Sequence, residues 1–156
     1  QPEWVQNLGR YGKGIGYAAS APKSPLGTNT QLNQATMNAR NELARQIEIG
    51  VKNAISQTIE QSREAGNEFG NIAASQFNAD DSRQIANQTL AGSRPIKQWK
   101  DPKNDELWVW VVIDKKNVIA RVSESMRKAL RKGSKLHNEK LEIMDKIVDK
   151  EANNAF

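Results

Sequence analysis

The stretch Leu107-Trp108-Val109-Trp110-Val111-Val112-Ile113 is apolar at every position, and no other segment restricts the fold as strongly. It has the length of a strand and falls well short of the roughly 18 residues a membrane-spanning helix needs. Successive side chains of a strand point to opposite faces, so Leu107, Val109, Val111 and Ile113 share one side while Trp108, Trp110 and Val112 share the other. A small antiparallel sheet with helices on a single side leaves its second face wet. Two indoles left there would forgo several kcal/mol, at about 25 cal/mol per Å2 over rings of roughly 200 Å2 each. Something must cover them, and the candidates are the second or C-terminal helix of the same chain, a neighbouring subunit, or a ligand.

The surrounding sequence supplies the rest of such a sheet. Arg94 to Lys100 and Glu106 to Asp114 form a hairpin around Asp101-Pro102-Lys103-Asn104-Asp105, in which Pro presets φ while Asn and Asp tolerate tight bends. Near the start, Gly12, Gly14 and Gly16 alternate with Lys13, Ile15 and Tyr17, a period of two with one bare face onto which a neighbour can pack closely. The order is G-x-G-x-G with a Pro- and Ser-containing loop behind it, which argues against dinucleotide binding.

Between these strands Leu32, Ala35, Ala39, Leu43, Ile47, Val51, Ala54, Ile55 and Ile59 recur every three or four residues, which predicts one long amphipathic helix to about Ala65, capped by Thr28, Asn29 or Thr30. Phe69, Ile72, Ala73 and Phe77 are expected to cover one end of the core. A shorter helix then holds Ile85, Ala86 and Leu90, with Asn78 or Asp80 as its cap. After Asp114, Val118, Ile119, Val122, Met126, Ala129 and Leu130 predict another helix that Gly133-Ser134 breaks. Beyond it Leu136, Leu141, Met144, Ile147 and Val148 mark a narrow amphipathic arm that must dock on a partner or on its own domain. The expected division is an α+β domain over residues 1–132 and a helical arm over 133–156.

Composition narrows the chemistry. Of 156 residues only 37% are hydrophobic, which favours long exposed helices over a thick core, and the net charge is +5. Cysteine is absent, so there is no disulfide, thiol nucleophile or sulfur ligand. The single His137, in a charged helical stretch, makes a poor metal site, and no cofactor or metal is expected. Lys115, Lys116, Arg121, Arg127, Lys128, Arg131, Lys132 and Lys135 stand against Glu124 alone and offer a basic face, whereas Glu139 to Glu151 mixes signs as a solvated helix does. The first residue is Gln1 and not Met, which fits removal of an export leader or a trimmed sequence.

The Pro2-Glu3-Trp4-Val5 opening, the glycine-rich strand, Ala35-x-x-x-Ala39-Arg40-x-x-Leu43-Ala44, and Trp108-Val109-Trp110-Val111-Val112-Ile113-Asp114-Lys115 followed by Val118 together resemble the LPP-twenty lipoprotein family, from Pro2 to about Met126. The resemblance implies a strand-helix-strand-strand core related to dodecin-like folds, a place in the bacterial envelope and no catalytic residues. One branch, the flagellar basal-disk lipoprotein FlgP, forms oligomeric disks around the motor beneath the outer membrane. The family is usually tethered through a lipidated N-terminal Cys, which this sequence does not contain.

Three functional classes can be weighed. Catalysis needs an acid-base pair, nucleophile or metal in a pocket; the acids sit on helix exteriors, and Asp80-Asp81 reads as a helix cap, so no enzyme is expected. A nucleic-acid module would join Lys and Arg to exposed aromatics, but the tryptophans belong to an apolar strand and the basic cluster to the helix after it. The favoured expectation is an exported homo-oligomer, at the periplasm or the inner face of the outer membrane or released outside the cell, that builds a ring, disk or filament, with flagellar-motor or outer-membrane partners. A free filament-forming subunit unrelated to flagella is the alternative. Its interface is expected at Trp99, Trp108, Trp110 and Val112 and along Leu136, Leu141, Met144 and Ile147, with anionic lipid or peptidoglycan facing the basic helix.

Overall fold

The computed structural model describes residues 1–6, 14–64, 79–131 and 145–150. In chain order these form a 3-10 turn (Glu3–Val5), strand β1 (Gly14–Ala21), helix α1 (Thr28–Glu64), helix α2 (Ala79–Thr89), a 3-10 turn (Leu90–Gly92), strands β2 (Arg94–Lys100) and β3 (Leu107–Asp114), and helix α3 (Lys115–Arg131). Residues 145–150 are helical again. The expected α+β class, with a small antiparallel sheet and one long helix, is the one observed. The expected domain boundary at 132/133, the Gly133-Ser134 break, the cover from Phe69, Ile72, Ala73 and Phe77, and His137 lie outside the described residues. Two compact units are present: Gln1–Arg45 with Leu90–Lys115, and Gln46–Thr89 with Lys116–Phe156.

The first unit is built on a three-stranded sheet in the order β1-β3-β2, antiparallel throughout. The apolar strand β3 takes the centre, where both of its edges are hydrogen-bonded. Edge strand β2 is exposed at Arg94, Pro95, Lys97, Gln98 and Lys100, and its pairing shifts register between Pro95 and Lys97. A proline without a donor, a bulge and charged side chains are the usual means of keeping a sheet edge from recruiting another strand. The hairpin turn closes as its composition predicts. Asp101 N–H donates to the Glu106 carbonyl (2.8 Å), Asp105 N–H donates to the Asp101 carbonyl (2.9 Å), and the Asp101 and Asn104 side chains accept from the Lys103 and Glu106 amides. Asp105 adopts φ +59°, a left-handed conformation that Asp tolerates better than most residues.

The first half of α1 covers the odd-numbered face of the sheet: Leu32 and Thr36 share a cleft with Val109, and Ala35, Ala39 and Leu43 are fully buried. The start of the helix differs from expectation. Ser24 to Gly27 form a turn with Pro25 at its second position, Gly27 N–H donates to the Ser24 carbonyl (3.2 Å), and the first helical bond runs from Gln31 N–H to the Gly27 carbonyl (3.2 Å). Gly27, at φ +108°, thus occupies the capping position in place of Thr28, Asn29 or Thr30, because only glycine adopts that conformation without strain. The buried stripe also differs at both ends. Leu32 and Ile59 are only half-buried, while Gln31 and Thr58 are buried. Both polar groups are satisfied: the Gln31 side-chain amide donates to the carbonyls of Ala21 (3.1 Å) and Asp105 (2.7 Å), and the Thr58 hydroxyl donates to the Ala54 carbonyl (2.8 Å). Asn38 adds a third tie, its amide donating to the Ser20 carbonyl (3.0 Å).

The described part of the second unit is helical. Ile47, Val51, Ala54 and Ile55 of α1 are buried, as are Ile85, Ala86 and Thr89 of α2, Val118 and Val122 of α3, and Ile147 and Val148. Asp80 and Asp81 lie in the first turn of α2, where negative charge complements the helix dipole. Leu90 falls in the 3-10 turn after that helix and is half-buried. The Ser125 hydroxyl of α3 donates to the Gln88 side-chain oxygen of α2 (3.1 Å), and Arg127 forms an ion pair with Asp145. The apolar side chains of the C-terminal arm that are described therefore pack within this unit.

Gln31 ties the beginning of α1 to the end of β1 and to the hairpin turn at once. Gln31→Ala leaves the buried Ala21 carbonyl without its donor, at an expected cost of about 1–3 kcal/mol. The measurement is urea unfolding, with a lower midpoint and an unchanged slope; an unaltered midpoint would show that the turn and strand are held by other contacts.

Candidate functional site

The even-numbered face of β3 carries Trp108, Trp110 and Val112. Cross-strand neighbours share a face in an antiparallel pair. On one side of β3, Gly16 therefore lies beside Val112 and Ala18 beside Trp110; on the other, Lys97 lies beside Trp110 and Trp99 beside Trp108. Each residue of the set has a distinct part in forming the surface.

Gly16 makes room. A Cβ at that position would lie 2.5 Å from Trp110 Nε1 and 3.0 Å from Val112 Cγ1, so the indole rests directly on the strand backbone. The neighbour that the glycine periodicity calls for is thus a side chain of the central strand. On Trp110 lies Trp4, with ring centroids 6.0 Å apart and planes 8° from parallel, an offset stack. Trp4 and Val5 are presented by the 3-10 turn, which closes through Val5 N–H to the Pro2 carbonyl (3.2 Å) and Gln6 N–H to the Glu3 carbonyl (3.0 Å). Pro2, at φ −63°, presets the entry. The Lys97 ammonium stands 5.7 Å from the Trp110 ring centroid, within cation–π range.

The result is a face divided in two. Trp4, Val5, Ala18, Trp110 and Val112 form a buried cluster, with Trp110 only 7% exposed; Ile96, Trp99 and Trp108 pack against it but remain half-buried. The cover over Trp110 comes from the N-terminal turn of the chain itself, which was not among the helix, subunit and ligand candidates. The sequence held a signal for it: Trp4 belongs to no amphipathic element of its own, so its ring must find a core elsewhere.

The expected interface residues consequently fare differently. Trp110 and Val112 are taken up by intramolecular packing, and Trp99 and Trp108 form the open rim. Ile147 is 4% exposed, packed inside the second unit with Val148. Leu136, Leu141 and Met144 lie outside the described residues. Of the basic residues on α3, Lys116, Arg121 and Lys128 are exposed, with Lys128 3.3 Å from Glu124, while Arg127 is paired with Asp145.

Among the described residues no helix is long and apolar enough to cross a membrane. Nor do three His, Cys, Asp or Glu side chains there come together as metal ligands. No curated protein matches the chain. The family model described as LPP20 lipoprotein matches residues 2–114, from the turn that carries Trp4 to the last residue of β3. The match encloses both stacked tryptophans, the glycine strand and the whole sheet, and it covers most of the sequence: the chain belongs to the LPP20 lipoprotein family, which places it among exported lipoproteins of the cell envelope.

Proposed function

We propose that the protein is a non-catalytic structural subunit that assembles with copies of itself in the bacterial envelope into a ring, disk or filament, as part of an outer-membrane scaffold associated with the flagellar motor. The observation that carries this reading is the pair Trp99 and Trp108. They are cross-strand neighbours and half-buried, and they remain at the rim after Trp4 has covered Trp110. A partly exposed aromatic patch beside a rigid sheet has the character of an interaction surface, since tryptophan supplies large contact area at small entropic cost. Contacts between this patch and a different patch on the next copy would propagate, closing into a ring if the rotation allows and otherwise continuing as a filament. Membership of an envelope lipoprotein family supports the location, and the exposed cations of α3 suit acidic lipid headgroups or peptidoglycan.

The division of the tryptophan face separates assembly from folding. Trp110→Ala and Trp4→Ala should both destabilise the monomer, the former by about 3–5 kcal/mol because a buried aromatic is replaced by a cavity; chemical unfolding measures this. Trp99→Ser together with Trp108→Ser should leave the chain folded, with a smaller loss of stability than Trp110→Ala, while shifting the sedimentation profile from large assemblies to single chains. If wild-type protein sediments as a single chain at all concentrations, assembly through this face is excluded. For the flagellar placement, a fluorescent fusion in the native cell should form foci that coincide with motors; an even signal around the envelope would favour the free filament.

A further inference from the structure

We propose that the cleft between the first turns of α1 and the hairpin β2–β3 binds an amphiphilic anion, a carboxylate or phosphate head on an apolar chain, with Arg40 holding the head. The cleft lies on the sheet face opposite Trp110 and does not depend on self-assembly. Its volume of about 390 Å3 is far more than an oxyanion alone fills, and it falls within the usual range of small-molecule sites. Leu32 and Val109 supply apolar wall, and Asn33 and Gln98 supply neutral amides.

Arg40 is what assigns a charge to the occupant. Its Nε is buried and has no hydrogen-bond acceptor. Among the described residues the ion pairs within α1 join Glu42 to Arg45 and Glu48 to Lys52, leaving Arg40 out. Among the described residues no Asp or Glu lines the cleft to serve it. Thr36, one turn before, has its hydroxyl proton committed to the Leu32 carbonyl (2.8 Å). The other cation of the described lining, Lys97, holds its ammonium over Trp110 on the far side of the sheet, so among the described residues Arg40 alone brings positive charge into the cleft. A buried guanidinium N–H without an acceptor is costly, and a carboxylate or phosphate oxygen meets it with a charge-assisted bond; the planar fork of arginine suits both anions. The apolar wall beside it then takes the chain of the ligand.

Two sources share this chemistry, free fatty acids and bilayer lipids, and the experiment separates them. Octanoate and octyl phosphate, below their micelle-forming concentrations, are titrated into the full chain by calorimetry, with octanol and inorganic phosphate as controls. One-to-one binding of both amphiphiles is expected, at least tenfold tighter than either control. Arg40→Gln should weaken it at least tenfold, with Arg40→Lys intermediate, while Lys52→Gln, three turns further along α1 and paired with Glu48, has no effect. In the unaltered protein the Arg40 Nε–H resonance should move on saturation with octanoate, which keeps the test open should Arg40→Gln fail to fold. Flotation with phosphatidylglycerol vesicles that is lost in Arg40→Gln would assign the site to bilayer lipid; binding of octanoate without flotation would assign it to free acids. No saturable binding, equal binding by Arg40→Gln, or phosphate binding as tightly as octyl phosphate would overturn the proposal.

Discussion

A central strand that is apolar on both faces must be dry on both, and the rest of the first unit answers that demand. β3 is hydrogen-bonded along both edges by β1 and β2. Below it, the first half of α1 presents small residues, Ala35 and Ala39, that bring the helix close to the sheet. Above it, Trp4 and Val5 close over Trp110 and Val112. The two covers are unequal. A helix of many turns covers the odd-numbered side of β3, whereas one 3-10 turn reaches only part of the other and leaves Trp99 and Trp108 at the margin. That shortfall is the physical basis for proposing that assembly uses the rim.

Polar side chains finish what apolar burial begins. Hydrophobic contact has no direction, so the position of α1 along β1 rests on the amides of Gln31 and Asn38, which meet the carbonyls of Ala21 and Ser20 at the end of the strand. The same Gln31 reaches the hairpin turn, so one buried side chain joins three segments far apart in sequence. Arg40, two turns of helix further on, stands in contrast. It is a buried donor on the same element with nothing to receive its Nε–H.

Legibility in the sequence followed locality. The period-two alternation of β3, the three-to-four spacing of α1 and the Asp-Pro-Lys-Asn-Asp turn are local patterns with local causes, and each became the expected element. The helix cap was misplaced because Ser24-Pro25-Leu26-Gly27 forms a turn that delivers Gly27 to the capping position, a joint property of four residues. The burial of Gln31 is not legible in the sequence, because an amide can be buried only once its two carbonyl partners are brought to it. Glycine periodicity in β1 announced a close neighbour without identifying it. Trp110 became that neighbour only through the pairing register of β1 with β3.

Sequence alone thus determined the elements, the class of fold and the requirement that Trp108, Trp110 and Val112 be covered, because those follow from side-chain periodicity and the cost of wet apolar surface. Tertiary structure decided which residues meet that requirement. It set Trp4, more than a hundred positions away in the chain, against Trp110, left Trp99 and Trp108 half-exposed, and buried the Nε of Arg40 without an acceptor. Contacts between distant segments depend on register and helix placement, which no local pattern encodes, and it is on those contacts that the proposed assembly rim and the anion cleft depend.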